Sequence, residues 1–358
     1  MSVSLVSRPS FAILSICLMG AAPLASKADS VSEFYTGKTL TLQVGFSAGG
    51  GYDTSARILA KYFGNHLPGK PTVVVQNVPG GGSTKLASSL FNTAPKNGLF
   101  LGMVSSSAMV IPLYGKRKVK FSPDKFEWVG NVHRDAVACG VWRGAGQDIK
   151  SLTDLVKAKK TVIFGSSRPT SNLSKFPMFL KNVLGANVEV VHGYRGSKPI
   201  TLAMQRGEVD GACMFYGSSI QGPYKQMYES GDLNLIAQYG EDGKVPLFGD
   251  ATPIFPLLKT DEQRDMARLL FAPAELTRPI AAPPGTPKDR VAALRKAFTD
   301  TMADPALKAD AKKMNIAFDP MSGAEVNRWF AEIYSKPRAI VEKTYTLTVA
   351  KKNPKTKK

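Results

Sequence analysis

Residues 39–60 read TLTLQVGFSAGGGYDTSARILA. Leu40, Leu42 and Val44 alternate with polar residues over Thr39–Val44, which predicts a half-buried strand. Asp53–Ala60 opens with a residue suited to an N-cap and carries Ile58 and Leu59 into a helical pattern. Between them lies Gly45-Phe46-Ser47-Ala48-Gly49-Gly50-Gly51. Its four glycines let the backbone turn sharply and bring its N–H groups close to a ligand. A strand, a glycine turn and a helix start make an anion site, because unpaired amides and the helix dipole point the same way.

Outward from this unit the same alternation continues. Thr72–Gln76 (TVVVQ) is a β-branched run that reads as a buried parallel strand. A second glycine turn, Asn77–Ser83, and a helix over Thr84–Phe91 follow it. Leu99–Val104 reads as a strand ending in Ser105-Ser106-Ser107. Strands and helices in alternation, with glycine turns at strand ends, predict an α/β fold with a mainly parallel sheet. Ligands in such sheets bind outside the carboxyl ends of the strands, so the polar turns are expected on one edge.

Strands predicted over Trp128–Gly130 and Val137–Val141 lead to a second run. It holds a helix at Ser151–Lys157, a strand at Thr161–Phe164 and the polar turn Gly165–Asn172. A helix over Leu173–Leu184 contains Pro177, which weakens its first half. A strand at Val188–Val191 ends in His192–Ser197; a helix over Ile200–Arg206 is closed by Gly207. Strands at Gly211–Phe215 and Leu233–Gln238 complete the run, and helices are expected at Glu262–Leu269, Lys288–Met302 and Ala324–Glu342. Two such runs predict two domains facing each other across a cleft. The division is expected as residues 29–132 with 238–358, and 133–237, the chain crossing near Val132–Ala136 and Ala237–Tyr239.

The 358 residues are enough for two ordinary domains, and 43% hydrophobic with 21% charged residues is a globular composition. Residues 1–28 read as a secretory signal: Arg8, an apolar stretch over Phe11–Ala22, and Ser26-Lys27-Ala28 as the cleavage site. Cleavage after Ala28 predicts a periplasmic protein. It removes Arg8, Lys27 and Cys17 and no acid, lowering the formal charge from +19 to +17. Such a surface attracts anions. The lysines are scattered except for a basic tail at 351–358, expected to be disordered. No nucleic-acid-binding pattern accompanies them. Cys139 and Cys213 both sit among apolar residues. Buried free thiols are the first reading, a disulfide the alternative, and their spacing gives no metal motif.

Gly45–Gly49 also matches G-x-S-x-G between a strand and a helix, so a secreted serine esterase using Ser47 is an alternative reading. It needs a partner among His66, His133 and His192. Ser47 as a hydrogen-bond donor to a ligand is the other role. Asp53 and Arg57 stand four apart and are able to pair. Asp53 then either holds the glycine turn or bonds a ligand, and Tyr52 either stacks on a ligand or covers the turn. Arg168, Lys175 and Arg195 lie in or near the second set of turns, each a possible partner for a carboxylate.

Taken together, these motifs resemble the solute-binding proteins of the tripartite tricarboxylate transporters, the Bug or TctC-like family. The similarity rests on Val44–Asp53 with Ala56-Arg57, on Val73–Gly82, and on Gly165-Ser166-Ser167 with Ser171. It continues through Gly193–Gly196, Ala203 and Gly207–Gly211, and through Ala282–Pro287 leading to Leu294 and Ala297-Phe298. The resemblance implies a two-domain, type II-like periplasmic binding protein that closes over a small organic anion, held by backbone amides and hydroxyls of facing turns. Mapped residue by residue, it puts Ser47, Ala48, Gly49, Gly50 and Asp53 on one lip. Ser166, Ser167, Thr170, Ser171 and Tyr194 lie on the other, and Phe46, Tyr52, Ser105, Ser106 and Arg195 complete the expected site. Pro95-Lys96-Asn97-Gly98-Leu99 departs from the family's Pro-Asp-Gly-Tyr turn, and Gly51-Tyr52 replaces smaller residues. The implied ligand is a di- or tricarboxylate or an aromatic acid. The implied partners are transporter membrane subunits, or a signalling receptor if the protein is a sensor. A monomer without enzymatic activity, metal or cofactor is expected.

Overall fold

The computed structural model describes Met1 and residues 24–349, apart from 116–117, 146–147, 195, 241–242, 315 and 317. The expected signal stretch up to residue 23 and the basic tail therefore lie outside the described residues. A helix over Leu24–Tyr35 runs through the expected cleavage point. Among the described residues, no helix is long and apolar enough to cross a membrane.

The chain lays down β1 (Thr39–Val44), β2 (Thr72–Asn77), β3 (Phe100–Met103) and β4 (Glu127–Asn131) in one sheet. It then crosses to a second, made of β5 (Val137–Trp142), β6 (Val162–Ser166), β7 (Val188–His192), β8 (Gly211–Tyr216), β9 (Leu233–Tyr239) and β10 (Thr252–Pro253). It returns to the first with β11 (Pro279–Ala282) and β12 (Met321–Ser322). The strand orders are β12-β4-β11-β3-β1-β2 and β10-β9-β5-β8-β6-β7, six strands in each sheet. The two strands that enter a sheet from the other, β5 and β11, run antiparallel to their neighbours. β1 pairs parallel with β2 and β3, and β6 with β7 and β8. The C-terminal ends of β1, β3, β6 and β8 therefore lie on the edges from which the chain crosses. This is the mixed α/β, mainly parallel two-sheet fold expected from the sequence.

Leu40, Leu42 and Val44 are buried as the alternation requires, packing with Ile58 and Leu59 of the helix Gly51–His66. β2 corrects one expectation. TVVVQ is an edge strand, with only β1 beside it, and Val74 is exposed. A β-branched run satisfies a half-covered edge as well as a buried centre. Cys139 and Cys213 correct another: they stand opposite each other on β5 and β8 and form a disulfide. The expected helix Ala324–Glu342 is two helices, Gly323–Ser335 and Arg338–Thr348. Pro337 lies at the break, where its missing N–H and ring end a helix.

Residues 132–135 and 274–278 run side by side between the sheets. The Asp135 amide donates to the Ala274 carbonyl, Thr277 to His133, and Val132 to Arg278. β10 extends the second sheet beyond residue 238. Leu258, Met266, Leu270 and Phe271 share its core with Phe176, Phe179 and Tyr239, the rings of Tyr239 and Phe271 lying 3.9 Å apart. The second sheet thus draws on more of the chain than the expected return at 237–239.

Candidate functional site

The helix after the glycine turn starts at Gly51, with Gly50 as its N-cap. Asp53 is therefore in the first turn and not at the cap, a shift of the expected cap by three residues. Its carboxylate reaches back: Oδ2 accepts the Gly49 amide and the Arg57 Nε, each at 2.9 Å. Oδ1 accepts the Asn77 side-chain amide at 2.9 Å, which also donates to the Phe46 carbonyl at 3.0 Å. The Arg57 hydrogen bond holds the Asp53 carboxyl at about 2, helped by the Gly49 and Asn77 amides and opposed by burial. Of its two expected roles, Asp53 is seen holding the turn. Gly49 has φ +80°, a conformation that suits glycine, and the bend it makes leaves Ser47, Ala48, Gly49 and Gly50 exposed.

Tyr52 covers this turn. Its ring packs 4.4 Å from that of Phe46, and its hydroxyl faces Ser105 and Ser106. Burial pushes the Tyr52 phenol up, against the pull of Arg278 and the two serines. Ser105 and Ser106 are themselves buried; the Ser105 amide donates to Ser83 Oγ at 3.1 Å and Ser106 Oγ donates to the Pro273 carbonyl at 2.8 Å. These two serines stand against the Tyr52 hydroxyl.

The second group also assembles. Ser166 ends β6 buried, with its hydroxyl 3.2 Å from that of Ser171, the N-cap of the helix Asn172–Leu184. The Tyr194 amide donates to the Ser166 carbonyl and the Gly193 amide to that of Ser167. Thr170 is exposed in the same turn, and Arg195 lies outside the described residues. Inside the helix Lys175 is buried, its Nζ 4.4 Å from the centre of the Tyr114 ring. Burial pulls it down to about 8.

Three residues that sequence reasoning missed, Tyr216, Asp135 and Arg278, connect the groups. Tyr216, at the end of β8, is raised by burial and then by the Asp135 carboxylate, while Asn172 lowers it and Tyr52 is near enough to raise it as well. Asp135 accepts the Gly217 amide at 2.9 Å and Ser218 Oγ at 2.6 Å. Arg278, in the returning crossing segment, lies with its guanidinium carbon 5.9 Å from the centre of the Tyr52 ring. No glycine cluster or periodic pattern marks these positions in the sequence.

The histidines are placed elsewhere. His66 meets Asp304 at 2.9 Å, His133 lies 3.6 Å from Asp135, and His192 meets Ser174 Oγ at 3.0 Å. None of these contacts involves Ser47, so the geometry of a serine hydrolase is not assembled around it. A cavity of about 510 Å³ opens beside the crossing, lined by His133, Asp135, Ser218, Lys244 and Glu275 among others.

Residues 56–345 match the family described as the tripartite tricarboxylate transporter family receptor, TctC. The chain belongs to this family. The match begins just after the glycine turn. A UPF0065 protein from the gbd 5′ region of Cupriavidus necator is 25% identical over 333 residues, covering 91% of this chain and 92% of that protein. Among solved structures, a TctC solute-binding protein from Polaromonas aligns with TM-score 0.65 at 18% identity, over 86% of this chain and 99% of its own. MatC from Rhodopseudomonas palustris, with bound malate, aligns with TM-score 0.58 at 18% identity, over 85% of this chain and 99% of its own. These likenesses establish the two-lobed binding-protein fold for this TctC-family chain.

Proposed function

We propose that this TctC-family protein is a periplasmic receptor that captures a small organic carboxylate between its two lobes and delivers it to the membrane subunits of a tripartite tricarboxylate-type transporter. The carrying observation is the glycine turn. Its exposed Ser47–Gly50 backbone stands at a helix start, held in place by Asp53 on the Gly49 amide and by Asn77 on the Phe46 carbonyl. A helix start with free amides favours an anion. The malate bound by MatC, a protein of similar fold, supports a carboxylate as that anion.

In this reading Ser47, Ala48, Gly49 and Gly50 form one lip of the clamp, and Ser166, Ser167, Thr170, Ser171 and Tyr194 the other. The lobes are residues 29–131 with 279–335, and 136–273 with the helix Arg338–Thr348, which bonds Asn182 and Glu262, hinged on the paired segments 132–135 and 274–278. Support for this division comes from β10 and the helix Asp261–Glu275, which pack with the second sheet. A ligand that touches both lips favours the closed arrangement by as much as its extra contacts are worth. No bond is broken in this cycle.

A thermal-shift panel of dicarboxylates, tricarboxylates and aromatic acids tests the reading. At 100 times its Kd a true ligand stabilises the protein by about 2.7 kcal/mol. A broad panel that leaves the melting temperature unmoved overturns it.

A further inference from the structure

Arg278 is an unusual cation in this fold. Its backbone is committed to the crossing: the amide donates to Asn131 Oδ1 at 3.0 Å and the carbonyl accepts the Val132 amide. Its side chain is not committed. Nε is buried without a hydrogen-bond partner, and Nη1 lies only at 3.5 Å from Thr277 Oγ1, on the neighbouring residue. Among the described residues no carboxylate stands within ion-pair distance of the guanidinium. Asp135 acts on it from farther away, and both Asp135 oxygens are already occupied by Gly217 and Ser218.

The place where this charge sits is informative. A Cβ built on Gly51 would stand 3.3 Å from Arg278 Nη2. The guanidinium therefore lies beside the first residue of the helix that follows the glycine turn, next to the positive end of that helix. Two positive features side by side, one of them largely out of water, destabilise each other unless an anion joins them. An unpaired buried charge costs several kcal/mol, and the guanidinium fork matches a carboxylate bidentately.

We propose that Arg278 is a specificity-determining residue of the cleft, pairing directly with a ligand carboxylate beside the glycine turn. This deepens the carboxylate-receptor reading and rests on it. The glycine turn alone, built of backbone amides, accepts any hydrogen-bond acceptor. Arg278 adds a requirement for full negative charge, so that a carboxylic acid binds and its amide does not.

The test uses malate, succinate, citrate and benzoate, each with its primary amide, titrated calorimetrically into wild type, Arg278→Gln and Arg278→Lys. Wild type is expected to prefer at least one acid over its amide by 30-fold or more. Arg278→Gln is expected to lose that preference to within threefold while binding the amide as wild type does. Arg278→Lys, which keeps charge without the fork, is expected to fall between them. The melting temperature of unliganded Arg278→Gln checks folding, and should equal or exceed that of wild type, because a buried unpaired charge is removed. If Arg278→Gln fails to fold, the Lys variant carries the comparison. An unchanged acid-to-amide ratio in the folded variants sinks the role of Arg278 and leaves the receptor reading standing. Wild type that binds none of the four acids removes both.

Discussion

Asn77 donates its side-chain amide to the Asp53 carboxylate at 2.9 Å, tying the end of β2 to the first turn of the neighbouring helix. The same amide holds the Phe46 carbonyl, so one side chain fixes both ends of the glycine turn. The turn is thus shaped by a buried carboxylate whose oxygens accept from Gly49, Arg57 and Asn77.

This makes acid stability a readout of the turn. Asp53 ionises in the fold at about 2 against 3.8 for the free group. Its contribution is fully present above pH 3.8 and is lost as pH falls through about 2. Arg57 is half exposed, so solvent screens part of the gain, leaving about 1–2 kcal/mol. Asp53→Asn is expected to cost about that much at pH 6 by urea unfolding. The gap to wild type should close between pH 4 and pH 2; a gap that stays constant argues against the ion pair as its source.

Gly49→Ala separates conformation from packing. A Cβ at Gly49 meets nothing within 4 Å, yet the residue holds φ +80°. The cost is therefore conformational, about 1–2 kcal/mol. The variant is expected to melt lower and to bind the carboxylate found in the thermal-shift panel more weakly, as its amide turns away from Asp53. Unchanged stability and affinity would show that the turn needs no glycine there.

The strand–turn–helix unit was legible because alternation and glycine clusters are local signals. Leu40, Leu42 and Val44 are buried as their spacing requires. The helix start was misplaced because Gly50 and Gly51 adopt cap and helix conformations once Asp53 reaches back, which no propensity scale records. The Ser166–Ser171 and Tyr194 group was found from turns at strand ends, a rule of the fold. Arg278 carried no such mark: its role depends on two distant segments lying side by side, as does the Cys139–Cys213 bond.

That disulfide links residues 74 apart in sequence. In the chain-entropy model, a closed loop of that length stabilises by about 4 kcal/mol. Reduction is expected to lower stability by 2–4 kcal/mol, since β5 and β8 already hold the residues opposite each other. Thiol labelling in denaturant, before and after reductant, counts the free cysteines. Two labelled thiols in unreduced protein lacking residues 1–28 would contradict the bond.

Lys175 offers the opposite pH signature to Asp53. It is buried against the Tyr114 ring, and among the described residues no carboxylate pairs with it. Desolvation pulls it from 10.5 to about 8. The unfolded chain therefore binds more protons between those values, and stability from this group rises with pH across the window. At pH 7 the charged ammonium is a burden of about 3 kcal/mol, fully present below pH 8 and gone above 10.5. Lys175→Met fills the same space without charge, so it is expected to stabilise the unliganded protein at pH 7 by up to that amount. The difference between variant and wild type should shrink steadily from pH 8 to pH 10.5 in chemical unfolding. If Lys175→Met is less stable than wild type at pH 7, the contact with Tyr114 outweighs desolvation, and the lysine is a structural latch between the helices that carry the two residues.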